Sequence, residues 1–394
     1  MSLLENLREV AEEIGPGVVA DRRDIHQYPE LGFSEQRTAA LVAARLRDLG
    51  LDVRTGVGGT GVVGLLKGGK AGKTVLLRAD MDALPIEEAN DTPYRSQFPG
   101  LMHACGHDAH TAMLLGVAWV FAHAREEISG TVKFMFQPAE EGGGGAQRMI
   151  EDGILNDPPV DAAFGMHVDT ERYVGQAALR SGPAMASSDR FTITIHGKGG
   201  HAASPHRTVD PIVVGAHLIT ALQTIVAREV SPNEPAVITI GSLISGTTNN
   251  VIPDRAVLTG TVRAYHADVR RTMERRIGEL ARGISRAMRA NAEVDYQVGY
   301  PVLVNDPHAV GVVKAALGKV LGSGAVIDRE AVMGAEDFAF ILQKVPGAMI
   351  HLGVRDRAWE RPRPVHTATF DLNEEALPVG VAALAATALE FLAS

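Results

Sequence analysis

The chain has 394 residues, 45% of them hydrophobic and 22% charged, with a formal charge of −9. That length exceeds one ordinary domain, so two are expected, in a globular protein of ordinary composition. The acidic balance, with no basic run, excludes a nucleic-acid footprint, and the single cysteine excludes an internal disulfide.

The first segment, MSLLENLREVAEEIGPG, spaces Leu3, Leu4, Leu7, Val10, Ala11 and Ile14 along one helical face. Its acidic residues and the lack of a continuous apolar core argue against a signal peptide. Helices are predicted at 3–14, 17–27, 35–49, 109–125 and 145–152. Between them lie strands at LDVRTGV, GVVGLLKG, KTVLLRAD, GTVKFMFQP and VDAAFGMH. Apolar strands separated by helices predict a largely parallel sheet buried on both faces.

A different texture begins after Gly182-Pro183. DRFTITIHG alternates, with Phe191, Ile193 and Ile195 on one face, and Asp210-Pro211 opens a long helix. Two strands, an arginine-rich amphipathic helix and a last strand follow. The order strand–helix–strand–strand–helix–strand over 187–298 is that of a ferredoxin-like α+β domain. After Tyr300-Pro301 the first texture returns, and LPVGVAALAATALEFLA reads as a docked terminal helix rather than a membrane span. The expected α/β architecture is therefore a discontinuous catalytic domain, 1–186 and 299–394, with an inserted domain at 187–298. A cytoplasmic location is expected.

The chemistry concentrates in LMHACGHDAH, residues 101–110, where Cys105 and His107 stand two apart. Alone, such a pair reads equally as two groups facing one site or as a small buried thiol beside a satisfied loop histidine. GTVKFMFQPAEEGGGG then runs a buried strand into Glu140-Glu141, and adjacent carboxylates at a strand end call for positive charge nearby. VDAAFGMH carries His167, and RPRPVHTATFDL places His366 in a proline-stiffened loop. Thiolate, carboxylate and imidazole all coordinate divalent metals, and in α/β sheets ligands gather at the carboxyl ends of the strands.

Taken with RADMDALP, GKGGHAA, NNVIPD and MGAEDF, these segments together resemble the M20 metallopeptidases along essentially the whole chain. The resemblance is nearest to the cysteine-containing amidohydrolase subgroup of hippurate, N-acyl-amino-acid and auxin-conjugate hydrolases. It implies two divalent metal ions per subunit, Mn²⁺ or Zn²⁺, with Co²⁺ or Ni²⁺ permitted. Cys105 matches a bridging ligand, His107 and Glu141 complete one metal's set, and His167 and His366 complete the other's. Glu140 matches the general base. His201 matches the oxyanion-stabilising histidine of the inserted lid, and Asn250 a lid residue that contacts substrate. Arg263, ending a lid strand, reads equally as a partner for a substrate carboxylate or as a surface charge. Arg78-Ala79-Asp80 stands where His-x-Asp is usual, which leaves Asp80 to orient a ligand, and Glu336 is assigned the same kind of supporting place.

The implied reaction is hydrolysis of the amide of an N-acyl amino acid by metal-activated water, Glu140 carrying the proton to the leaving amine. A dipeptidase or aminoacyl-peptide hydrolase with the same machinery is the near alternative. A cysteine-nucleophile amidase using Cys105 and a non-catalytic binding protein are the distant ones. The resemblance also implies a homodimer or higher homo-oligomer formed through the lid, and no membrane partner.

Overall fold

The computed structural model of the protein describes residues 3–394. The chain forms two compact units. The first takes the chain up to Ala184, then Val304–Glu330 and Asp337–Ser394, and the second takes Met185–Leu303 and Ala331–Glu336. The second unit thus includes a short later stretch that lies outside the expected insert at 187–298. That stretch is recruited by tertiary hydrogen bonds: the Ala186 N–H donates to the carbonyls of Val332 (3.2 Å) and Gly334 (2.9 Å).

Helix α1 (Leu3–Gln27) runs unbroken through Gly15-Pro16-Gly17, where the sequence predicts a break. It buries Leu7, Ala11, Val18 and Ile25, and a Cβ on Gly15 would come within 2.9 Å of the Pro378 ring. Close packing against the terminal helix carries the helix past a residue that local propensity would make a stop. There follow α2 (Gln36–Asp48), β1 (Asp52–Val57), β2 (Gly61–Lys67), β3 (Lys70–Asp80), α3 (His107–His123), β4 (Ser129–Gln137), α4 (Gly145–Glu151), β5 (Ala162–Tyr173) and β6 (Ala177–Leu179).

The second unit holds β7 (Ser188–His196), α5 (Pro211–Thr224), β8 (Ala236–Ser245), β9 (Arg255–Ala264), α6 (Ala267–Ala287) and β10 (Asn291–Tyr300). The first then resumes with α7 (Pro307–Val320), β11 (Val326–Asp328), β12 (Gly347–Arg355) and α8 (Ala376–Ala393).

The sheet of the first unit is ordered β1-β2-β4-β3-β5-β12-β6-β11. Its centre, β4, β3, β5 and β12, is parallel, while β1 and β2 add antiparallel strands at one edge. On β3 every residue from Thr74 to Asp80 is buried. Successive side chains point to opposite faces, so unbroken burial means that both faces are covered. Helix α8 is apolar enough in composition to cross a bilayer, yet 72% of its most apolar window is buried inside the protein.

The sheet of the second unit is antiparallel throughout, in the order β8-β9-β7-β10. Phe191, Ile193 and Ile195 alternate inward from β7, against Val214 and Leu218 of α5 and Met273 and Ile277 of α6. The side chain of Asp210 caps α5 by accepting from the Ile212 N–H at 2.9 Å. With its βαββαβ element order, this is a split βαβ sheet of the ferredoxin-like kind.

Candidate metal centre

The candidate centre lies in the first unit. The end of β3 delivers Asp80 and, two residues on, Asp82. The loop before α3 delivers Cys105, the first turns of α3 His107 and His110, the turn after β4 Glu140 and Glu141, and β5 His167. His366 comes from the proline-rich segment before α8.

Backbone geometry sets these turns. Gly106, at φ 84°, admits a close approach in which a Cβ would sit 2.7 Å from Cγ2 of Val168, so the Cys105 loop lies tight against β5. Gly145 opens α4 where a Cβ would overlap the Pro138 carbonyl, which folds the glycine run back on its strand. Ala139 and His366 hold left-handed backbone at φ 49° and 62°. Each is pinned: the Ala139 N–H donates to Glu35 Oε1 at 2.8 Å, and the His366 N–H to the Ala104 carbonyl at 2.7 Å.

All five expected ligands are brought together. Cys105 Sγ lies 3.4 Å from His167 Nε2, and His366 Nε2 lies 3.0 Å from Glu141 Oε1. The donor atoms of Cys105, His107 and His167 lie within 4.8 Å of one another, as do those of Cys105, Glu141 and His366. Cys105 belongs to both groups, as a bridging ligand must. Around it His107 groups with His167, and Glu141 with His366. His107, Glu140 and Glu141 form a further such trio, within 4.8 Å.

The donor set fits a metal. His107 Nδ1 is 2.9 Å from the Asp82 carbonyl and so donates its proton there, while its buried Nε2 makes no hydrogen bond among the described residues, the Asp80 carboxylate lying 3.5 Å away. His167 Nδ1 likewise faces the Val168 carbonyl at 2.8 Å, turning Nε2 toward Cys105. An imidazole whose second nitrogen donates to a carbonyl is the form that ligates metal. The charges agree. Burial pushes the Cys105 thiol up, but His167 and His107 outweigh it and bring it down to about 6. Burial depresses His107, yet Asp80, Cys105 and Asp82 hold it well above the usual imidazole range. Burial raises Glu141, and His366 and His107 bring it below the ordinary carboxylate value. His366 is lifted to about 10 by its hydrogen bonds to Cys105 and Glu141. The anionic cluster draws positive charge onto its histidines, and a divalent cation answers the same demand.

Three residues that the sequence reading did not single out support the centre. Asp82 accepts from the N–H groups of Glu140 (3.0 Å) and Glu141 (2.9 Å) while its carbonyl holds His107. His110 has both nitrogens engaged, Nδ1 with Asp80 Oδ1 at 2.6 Å and Nε2 accepting from the Val168 N–H at 3.0 Å, so it braces β5 rather than offering a ligand atom. Its signal was available, since His107 and His110 stand three apart on one helix. Asp337 accepts from Gln137 at 2.6 Å, from Arg78 at 3.3 Å and from the Ala146 N–H at 3.0 Å, and its own N–H lies 3.4 Å from Glu140 Oε1.

Asp80 sits on β3 as expected, bonded to His110 and paired with Arg78 at 2.7 Å, with its Oδ2 3.5 Å from His107 Nε2. Burial raises Asp80, but Arg78 and the two histidines hold it well below the carboxylate range. Glu336 is buried, at the end of the stretch Ala331–Glu336 that belongs to the second unit.

Within the second unit, His201 and Asn250 are neighbours. Val251 pairs with His201 in a two-strand ladder, the Ala202 N–H donates to the Asn250 carbonyl at 3.1 Å, and both side chains are exposed. Arg263 lies apart from them near the far end of β9, eight residues beyond Arg255, or about 26 Å of extended strand. It is half-buried, bonded to Thr261 Oγ1 at 2.5 Å, and burial lowers its guanidinium below its ordinary value.

Comparison with known proteins agrees with this geometry. A sequence model of peptidase family M20/M25/M40 matches residues 76–390. Thermostable carboxypeptidase 2 of Saccharolobus solfataricus is 42% identical over 99% of both chains. The N-acetyl-L-cysteine deacetylase of Bacillus subtilis is 41% identical, over 91% of this chain and 84% of its own. The crystal structure of the Bacillus subtilis YXEP protein, described as a dinuclear metal binding peptidase from the M20 family, superposes with a TM-score of 0.83 at 35% identity. It covers 97% of this chain and 99% of its own.

Proposed function

The chain belongs to peptidase family M20/M25/M40, and from that premise we propose that it hydrolyses the amide bond of N-acyl amino acids. In this reading Cys105, His107, Glu141, His167 and His366 hold two divalent cations. The observation that carries it is the membership of Cys105 in both donor groups, with a carboxylate, Glu140, beside the second. When bound, such a pair supplies Lewis acidity that polarises a scissile carbonyl and acidifies water.

The residues then divide the work. Glu140 and Glu141 are chemically identical, but Glu141 faces Cys105 and His366 and so commits its oxygens as a ligand. Glu140 is 7% exposed and fixed through its N–H by Asp82, and its carboxylate is assigned to accept the water's proton and return it to the departing amine nitrogen. His201 is assigned to stabilising the oxyanion, Asn250 to the substrate and Arg263 to a substrate carboxylate. Asp80 is assigned to orienting His110 and His107 from the end of β3, and Glu336 keeps only its assignment from the sequence. Thiolate and imidazole suit zinc, while the carboxylate admits manganese, cobalt or nickel.

A second reading, a carboxypeptidase or dipeptidase on the same machinery, is favoured by the 42% identity to a carboxypeptidase. Association through the second unit belongs to the proposal too. It is supported by Leu243 (36% exposed) and Ile244 (71% exposed) on the edge strand β8.

Steady-state kinetics of the metal-loaded protein on N-acetyl and N-benzoyl amino acids, set against dipeptides and C-terminally blocked peptides, test the assignment. N-acyl amino acids should give the highest kcat/KM. Preference for peptides would move the assignment to the second reading, and turnover that survives complete metal removal would end both.

A further inference from the structure

The turn that carries Glu140 is gripped by two buried carboxylates, both in the first unit. Three successive N–H groups point at them. Ala139 donates to Glu35 Oε1 at 2.8 Å, Glu140 to Asp82 Oδ1 at 3.0 Å and Glu141 to Asp82 Oδ2 at 2.9 Å. We propose that Glu35 is a positioning residue for hydrolysis, holding Ala139 in its left-handed conformation and thereby aiming the Glu140 carboxylate. The inference rests on the reading of Glu140 as the proton-accepting group and deepens it.

The geometry of Ala139 carries the first part. The peptide plane before it is held by Glu35 and the plane after it by Asp82. Peptide units are rigid, so fixing both planes fixes φ and ψ of the residue between them. The φ that results is 49°, which alanine keeps only where its surroundings impose it. The methyl group is enclosed as well: a Cβ on Gly32 would come within 2.9 Å of the Ala139 Cβ, and one on Gly143 within 2.7 Å. Glu140 is the next residue, so its Cα–Cβ direction follows from the conformation forced on Ala139.

The placement of Glu35 carries the second part. It stands at the start of α2, 104 positions before Ala139, with 0% of its surface exposed. Its side chain makes no capping bond to that helix, so helix capping does not account for it. Oε2 accepts from the Thr60 hydroxyl, and the carboxylate cannot turn away from Ala139 without giving up that bond. Burial pushes the Glu35 carboxyl up, opposed by the Thr60 hydroxyl, its own N–H and the Ala139 N–H, with no cation among these partners. A buried carboxylate without a cation is costly to the fold. Its hydrogen bond to the strained turn is what gives it a use.

The test takes the full chain loaded with excess divalent metal, on whichever acyl amino acid or peptide the wild type hydrolyses fastest. Glu35→Ala should keep the wild-type metal content and lose about 10–100-fold in kcat. Glu35→Gln keeps a carbonyl oxygen for the Ala139 N–H and should retain most of the turnover. Glycine adopts positive φ freely, so Ala139→Gly added to Glu35→Ala should restore about tenfold in kcat. Glu35→Asp, which withdraws the oxygens by one methylene, should show the same loss and the same rescue, and it replaces Glu35→Ala if that variant does not fold. A residue that served the fold alone would leave the kcat of a folded, metal-loaded variant unchanged. Wild-type kcat in Glu35→Ala or Glu35→Asp, equal losses in the Ala and Gln variants, or a loss that glycine does not relieve would overturn the positioning role. With Glu140→Gln still slow, the reading of Glu140 would stand. A Glu140→Gln variant at the full rate would overturn both.

Discussion

The His107 Nδ1 and the Asp82 backbone carbonyl lie 2.9 Å apart, and this contact decides which imidazole nitrogen faces the candidate centre. The same residue's carboxylate anchors the N–H groups of Glu140 and Glu141. Asp82 therefore fixes members of two loops at once, far apart in sequence. Asp82→Ala keeps the carbonyl but frees the Glu140-Glu141 turn. Metal affinity, read by titration of the metal-free protein, should fall about 10–100-fold. Unchanged affinity would show that the turn is held by other contacts.

Glu140→Gln preserves size and hydrogen bonding but removes the carboxylate that accepts a proton. Turnover should drop by about 10²–10⁴-fold while metal content stays at the wild-type level. A variant that retains most of its activity would take the base assignment away from Glu140.

Asp337 meets Arg78 and Gln137 inside the protein, with both Asp337 and Arg78 essentially unexposed. Asp337→Ala strands part of the Arg78 charge and the Ala146 N–H, and breaking such a buried pair costs about 3–5 kcal/mol. Arg78 keeps Asp80, so the lower end is expected in denaturant unfolding. A loss well under 1 kcal/mol would mean that water reaches the pair.

Lys133 on β4 is 3% exposed, and its ammonium donates to the carbonyls of Ile154 and Asn156. Burial, with Arg54 nearby, lowers it from 10.5 to about 8, Asp157 opposing. Between these values the unfolded chain binds more protons than the folded one, so stability rises with pH. The gain is complete above the unfolded value and is lost as pH falls through about 8. Denaturation midpoints followed upward from that pH should rise in the wild type relative to Lys133→Met. Parallel curves would contradict the shift.

Much of this was legible in the sequence because the ligand-type residues sit at strand ends and helix starts, where sheet topology gathers them. Cys105, His107, Glu141 and His167 are of this kind. The partnership of His366 with Glu141 was not legible, since it depends on a left-handed backbone at His366 and a hydrogen bond to Ala104. In RADMDALP the sequence offers two aspartates, and only the fold shows that Asp82, not Asp80 alone, touches the Glu140-Glu141 turn. The unbroken α1 and the recruitment of Ala331–Glu336 into the second unit are likewise tertiary effects, set by packing against Pro378 and by bonds to Ala186.

Elemental analysis of the wild type and Cys105→Ala, both loaded with excess divalent metal and then desalted, tests the central claim most directly. The account predicts about two ions per wild-type chain, as a two-metal site requires, and a marked loss of both metal and turnover in the variant. A variant that holds the wild-type metal complement and hydrolyses at the wild-type rate would show that Cys105 does not join the two donor groups.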